Sequence, residues 1–143
     1  MRLIEAKRRL SGVAGADIAM GQPCFVTYTG DKAVLNPVTP GEAITDKERI
    51  AMVDKVEAVA YNEVPATIKE GDEVIFSFQG TYEINDSDLA GDVKLGEYVE
   101  WTHEGFQKLD DGFVAGYVVG INGATVLVEY DGLVPGNTTS ILA

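Results

Sequence analysis

The sequence predicts a mainly β fold: a small β barrel or sandwich of antiparallel hairpins, with one short helix and extended terminal arms. Three observations carry this. The run from Glu73 to Ile84 alternates apolar and polar side chains, Asn122-Gly123 sits midway between two apolar strands, and 16 glycines in 143 residues favour tight turns over long helices. A chain of this length buries roughly 68–70% of the surface its unfolded form exposes, so one core suffices without metal or disulfide. The expected division is an N-terminal basic arm over 1–14, a β domain over 15–131 and a C-terminal arm over 132–143.

Along the chain, residues 1–14 show no β alternation and carry Arg2, Lys7, Arg8 and Arg9. Gly30-Asp31 marks a hairpin between Phe25–Tyr28 and Ala33–Asn36. Thr45-Asp46-Lys47-Glu48 has the spacing of a capping box, and Met52, Val53, Val56, Val59 and Ala60 follow at helical intervals, so this is where the helix is expected; Pro65 would stop it. The stretch Val56-Glu57-Ala58-Val59 is also compatible with an extended sheet. Glu70-Gly71-Asp72 then turns the chain into the alternating strand, whose even positions (Val74, Phe76, Phe78, Gly80, Tyr82, Ile84) form the core face, with a bend or bulge expected at Gly80.

Glu104-Gly105 marks a hairpin between Tyr98–Thr102 and Phe106–Leu109. Trp101 alternates with Val99 there and is read as core; exposed beside Phe106 and Tyr98 it would instead form a platform for a partner or a sugar. At Asn122-Gly123 a type I′ turn pairs Ile121 with Ala124, Val119 with Val126, Tyr117 with Val128 and Ala115 with Tyr130, all on one apolar face. Gly116 and Gly120 on the opposite face leave room for another backbone, such as a neighbouring subunit. The chain ends in a loop-like stretch whose Leu133, Val134, Ile141 and Leu142 suit an arm that docks on a surface.

The formal net charge is −12, unevenly placed. The first nine residues hold four of the eleven basic groups and one acid, for +3; the rest holds seven basic and 22 acidic groups, for −15. A body this acidic repels phosphate backbones, so nucleic acid is not an expected partner. The basic tip suits docking on an acidic protein surface, or a solvated terminus. No secretory signal is read, since the basic start is not followed by an uninterrupted apolar run, and no membrane-spanning stretch, because Phe113 to Val128 is interrupted by glycines and by Asn122-Gly123. A soluble chain without membrane contact is expected.

Catalytic inventory is thin. His103 is the single histidine and falls at a hairpin lip, which reads as a solvated turn residue. No G-x-S-x-G, P-loop or GxGxxG pattern occurs. Cys24, the single cysteine, excludes an internal disulfide and lies in the apolar run Cys24-Phe25-Val26, as a small buried hydrophobe does. Asp86-Ser87-Asp88-Leu89-Ala90-Gly91-Asp92-Val93-Lys94-Leu95-Gly96-Glu97 matches a calcium loop at positions 1, 3, 6 and 12. Ala90 offers no ligand at position 5, however, and a strand precedes the loop where a helix should, so an acidic connection is preferred and no metal or cofactor is expected.

Five segments carry a resemblance: Gly15-Ala16-Asp17-Ile18-Ala19-Met20-Gly21-Gln22-Pro23 leading into a strand; Gly71-Asp72-Glu73-Val74; Gln79-Gly80-Thr81-Tyr82-Glu83; Leu95-Gly96-Glu97-Tyr98-Val99-Glu100-Trp101; and Ala115-Gly116-Tyr117-Val118-Val119 before a final hairpin. Over roughly residues 13–132 the chain resembles the capsid decoration, or head cement, proteins of tailed bacteriophages. The resemblance implies a small β barrel or sandwich, often trimeric, that binds the major capsid protein on the outer surface of the virion head and stabilises it without catalysis. Such a protein is made in the host cytoplasm. The alternative is a carbohydrate- or ligand-binding β module of an adhesin or tail-fibre type; a trimeric nucleotide hydrolase lacks its Gly/Ser-rich motifs here.

Overall fold

The computed structural model describes residues 2–6, 8–39, 43–44, 49–56, 67–85, 93–110, 112, 114–132 and 140–141. Its strands are β1 (Arg2–Ala6), β2 (Leu10–Ala14), β3 (Ile18–Ala19), β4 (Cys24–Thr29), β5 (Lys32–Pro37), β6 (Ala43–Ile44), β7 (Ile50–Val56), β8 (Thr67–Ile68), β9 (Glu73–Ser77), β10 (Gln79–Asn85), β11 (Tyr98–Thr102), β12 (Gly105–Lys108), β13 (Val114–Asn122), β14 (Thr125–Asp131) and β15 (Ser140–Ile141). Strands β2-β5-β4-β7-β9 close a barrel, and β1-β10-β14-β13-β11-β12 form a six-stranded sheet. The mainly β prediction holds. Among the described residues pairing is antiparallel except between β2 and β5, where Val13 opposes Val34 and Ala14 opposes Leu35 in parallel.

Two cores follow from this layout. Ala14, Cys24, Leu35, Ala51, Val53, Val74 and Phe76 fill the barrel. Phe25, Ile50 and Met52 point the other way from the barrel wall and pack on the sheet's Tyr82, Trp101, Val128 and Tyr130. Strand β7 is therefore buried on both faces, and Ile50, Ala51, Met52 and Val53 are each at most 2% exposed. This corrects the expected helix where it is described. A strand enclosed by two layers is apolar at every position, so it shows no period of two, and its hydrophobic residues can be read as a helical stripe. Residues 45–48 and 57–66 lie outside the described residues, and no helix appears among those described.

The N-terminal stretch is also corrected, because 1–14 is part of the β body wherever it is described. Strand β1 forms the sheet edge, with Arg2 opposite Glu83 and Leu3 opposite Tyr82. Strand β2 pairs with β9 from Leu10–Phe76 to Val13–Glu73. Its alternation was hidden because the barrel needs small residues there: a Cβ on Gly12 would lie 2.8 Å from Leu35 Cδ1 and 2.9 Å from Phe76 Cε1.

The run from Glu73 to Asn85 keeps its alternation but divides at Phe78, two residues before the expected bend. Strand β9 belongs to the barrel and β10 to the sheet, so this run and the β1–β2 connection both cross between layers. The Gly30-Asp31 hairpin forms with Phe25 opposite Asn36 and Tyr28 opposite Ala33. The β11–β12 hairpin forms with Thr102 opposite Gly105.

The last hairpin has a different register. Asn122 opposes Thr125, so the two loop residues are Gly123 and Ala124. Only Gly123 has positive φ (63°), and no described non-glycine residue does. A type I′ turn would need Asn122 in that region as well; glycine first is the requirement of type II′. A bulge between Val118 and Gly120 then sets Val118 opposite Val128 and Gly116 opposite Tyr130. In consequence Ala115, Val126, Val128 and Tyr130 are buried as expected, Val118 joins them, and Tyr117 (41%) and Ile121 (50%) are exposed. The room beside Gly116 belongs to the chain's own β14, since a Cβ there would lie 1.8 Å from Glu129 O.

The C-terminal stretch begins with Gly132, which is buried and fixed: its N–H donates to Phe78 O (2.8 Å) and its carbonyl accepts from Ile50 N (3.1 Å). These bonds tie the sheet to the barrel. Further on, Ser140 opposes Ile44 and Ile141 opposes Ala43.

Candidate functional site

Where the chain crosses between the two layers, a recess of ≈ 450 Å³ opens at the barrel mouth, lined by Arg8, Leu10, Tyr28, Phe78 and Gln79. Each lining residue is there for a local reason. Leu10 begins β2, and Phe78 is the residue between β9 and β10, half-buried and edge-on to Phe76 at 5.6 Å. Tyr28 stands next to the Gly30-Asp31 turn, beyond the reach of either core, and is 68% exposed. Gln79 Nε2 donates to Asp131 Oδ2 (2.9 Å), which fixes the amide at the recess edge.

The two adjacent arginines have opposite surroundings. Arg9 Nε lies 3.1 Å from Oδ2 of Asp54, whose side chain is only 5% exposed. Burial of that carboxylate requires a charged partner, and Arg9 supplies it. Arg8 is exposed at the recess lip and makes no ion pair in the described structure.

On the other side of Gln79 lies a second, smaller recess of ≈ 180 Å³, lined by Gln79, Gly116, Tyr117, Glu129, Tyr130 and Asp131. Tyr117 Oη donates to Glu129 Oε2 (3.3 Å), and the carboxylate's charge raises the phenol above its ordinary range. The Tyr117 ring meets Tyr98 at 6.5 Å. Leu95, 67% exposed, sits close by in the Lys94–Glu97 turn, whose Gly96 N–H donates to Val118 O.

The second recess gathers Tyr117, Glu129 and Asp131, while the histidine and the cysteine lie elsewhere. His103 Nε2 lies 3.3 Å from Glu104 Oε1 in the β11–β12 loop and lines neither recess. Cys24 is fully buried, and burial pushes its thiol up to about 12. Burial likewise raises the Tyr82 and Tyr130 phenols, and Tyr130 Oη shares a 2.6 Å hydrogen bond with Ser77 Oγ. Glu100, 1% exposed, accepts from Gln107 Nε2 (2.7 Å) and Asp110 N (3.2 Å) through Oε1. Trp101 is fully buried against Phe106 and Tyr130, so the core reading stands and a surface platform built on it does not.

Of the residues expected in arms, the structure brings Arg8 to the recess and pairs Arg9 with the buried Asp54. Arg2 and Ile141 lie in paired strands, and Lys7, Leu133, Val134 and Leu142 lie outside the described residues. In the calcium-like loop, residues 86–92 lie outside as well, while Glu97 Oε2 is 3.4 Å from Lys108 Nζ. No group of three metal-binding side chains occurs among the described residues, and none of their helices is long and apolar enough to cross a membrane. Leu10, Tyr28, Phe78 and Gln79 were not singled out from sequence. The usable signal was Tyr28, an aromatic flanked by threonines beside a glycine turn.

No protein-family model matches the chain, and no curated protein matches it. Among solved structures it is similar to the head fiber gp8.5 N base of bacteriophage phi29, with a TM-score of 0.47 and 13% identity over 95% of this chain and 98% of that one.

Proposed function

We propose that the chain is a structural accessory protein of a tailed-phage head, which binds the major capsid protein on the outside of the shell as a homotrimer and stabilises it without catalysis. The observation that carries the reading is the make-up of the barrel-mouth recess: one cation, one aliphatic and two aromatic side chains and an amide, a set suited to contact. The five segments that resemble head cement proteins support it; they fall in β3, the start of β9, β10, β11 and β13. Each attachment point contributes about 25 cal/mol per Å² of apolar surface buried, less the cost of ordering, and a trimer multiplies the gain through effective concentration. Cosedimentation of the full chain with heads of the encoding phage tests the reading. Saturable binding that raises the temperature of head disruption is the expected result; a chain left entirely in the supernatant refutes it.

A further inference from the structure

We infer that the barrel-mouth recess takes an extended segment of a partner protein that carries an acidic side chain next to an apolar one. The inference rests on the head-binding reading for the partner's place, but on the recess alone for its chemistry.

Arg8 is the starting point. In a chain with 23 acidic groups and 11 basic ones, an exposed arginine would readily find a carboxylate. Its neighbour Arg9 does so at Asp54, yet Arg8 stays unpaired beside Leu10, Tyr28 and Phe78. A guanidinium that shares a recess with aromatic side chains is suited to a carboxylate, which it can grip with two parallel N–H donors. Leu10 and Phe78 form an apolar floor directly alongside, so the natural occupant pairs an acid with an aliphatic or aromatic side chain. Gln79 spends its amide N–H on Asp131, which leaves Oε1 to accept a backbone N–H from a strand passing over the edge.

The openness of the recess decides between a small molecule and a peptide. Small-ligand sites cover most of their ligand's surface, whereas Tyr28, one wall here, is itself 68% exposed. A free carboxylate ligand would be held on one side only; a chain held by its flanking residues needs no more. Charge decides between a foreign segment and a second copy. Another copy brings a body of the same −12 charge to this face. Across Gln79, the adjoining recess is lined by Glu129 and Asp131 and offers no cation among its lining residues.

The test is a titration of the full chain with blocked octapeptides, followed by amide NMR shifts. One peptide places glutamate beside leucine in a neutral background, and a second replaces that glutamate with glutamine. The expected dissociation constant of the first is about 0.1–1 mM, with shifts centred on Leu10, Tyr28 and Gln79. The glutamine peptide is expected to bind at least about 5-fold more weakly, and Arg8→Glu to weaken the glutamate peptide about 10-fold or more, with Arg8→Lys between. Tyr28→Ala should weaken both peptides. Both positions are exposed, so the variants should fold.

Four outcomes overturn the inference: equal binding of the two peptides, an unaffected Arg8→Glu variant, free glutamate binding as tightly as the peptide, or an oligomer that Arg8→Glu dissolves. The last would make a second copy the occupant. Head cosedimentation separates this failure from that of the broader reading. Heads bound equally by wild type and Arg8→Glu sink the recess assignment alone, whereas peptide binding without head binding sinks the head reading alone.

Discussion

Replacing Gly132 by alanine tests how the barrel and the sheet are joined. Gly132 lies outside the left-handed region, so alanine meets no backbone strain there. Its cost is steric. The added Cβ would lie 1.7 Å from Ile50 O and 2.7 Å from Ile50 C, atoms of a backbone buried on both faces. Reaching even 3.0 Å requires the two backbones to part by about 1.3 Å. That separation breaks the Ile50 N–H bond to Gly132 O and strains the Gly132 N–H bond to Phe78 O. Each buried group left without a partner costs about 1–3 kcal/mol, and the lower entropy of the unfolded alanine chain returns about 0.4–1 kcal/mol.

The expected net loss is about 2–4 kcal/mol, a large part of the roughly 5–15 kcal/mol that holds such a domain together. In urea, with a slope of about 1–3 kcal/mol per molar, the midpoint should fall by about 1–2 M. Gly120→Ala is the control: its nearest neighbour is the flexible end of Leu127 at 3.1 Å, and it should cost under about 1 kcal/mol. A Gly132→Ala midpoint within 0.3 M of wild type, an order-of-magnitude margin on that slope, refutes the reasoning.

Three further outcomes are expected. The Cys24 thiol should resist an aromatic disulfide reagent at neutral pH until urea unfolds the chain; immediate reaction would show that the thiol is not enclosed. Its pKa is raised from 9.0 to about 12 in the folded chain, so its contribution is fully present below pH 9 and declines above it, where the unfolded chain loses the proton first. Each pH unit between these values should cost about 1.4 kcal/mol, and Cys24→Ala should flatten that part of the alkaline profile. Trp101 should emit at short wavelength and resist iodide quenching, and Trp101→Ala should cost about 3–5 kcal/mol; a solvent-like spectrum that sugars quench would place the ring at the surface. Arg9→Gln should cost about 1–3 kcal/mol by leaving buried Asp54 without this cation, while Arg8→Gln should stay within about 0.5 kcal/mol, and equal melting of the two would contradict the different environments of these neighbours.

Elements whose side chains face one core and one solvent layer were legible from sequence. The run from Glu73 formed with the alternation its residues require, whereas the β4–β5 and β11–β12 hairpins were legible from their turn residues, since Cys24 and Phe25 are both buried and so are Val99 to Thr102. Legibility failed where two layers meet. Ile50–Val53 is enclosed on both faces and lost its period; Leu10–Ala14 meets Leu35 and Phe76 across Gly12 and looked too small to be core. At Asn122-Gly123 the dipeptide identified the turn but not its register, because one positive φ or two decides between the alternatives and the letters permit both. The recess was least legible, since its residues come from three separate stretches of chain, 8–10, 28 and 78–79.

The recess and the joint are consequences of one feature. A chain that passes twice between a barrel and a sheet must place some residues between the two cores, and Arg8 and Phe78 are those residues. Phe78 continues the core face of β9 and β10 yet remains half-buried, because the barrel core ends at Phe76 and the sheet core resumes at Tyr82. An apolar floor at the barrel mouth therefore follows from the topology, and the unpaired Arg8 gives that floor its selectivity. The two can be separated. Gly132→Ala should shift the recess walls and lower stability together, since Gly132 is bonded to Phe78. Arg8→Glu should weaken acidic-peptide binding about 10-fold or more with stability unchanged. If Gly132→Ala lowered stability but left peptide affinity and the Phe78 amide shift untouched, the recess would owe its shape to its own side chains and not to the joint.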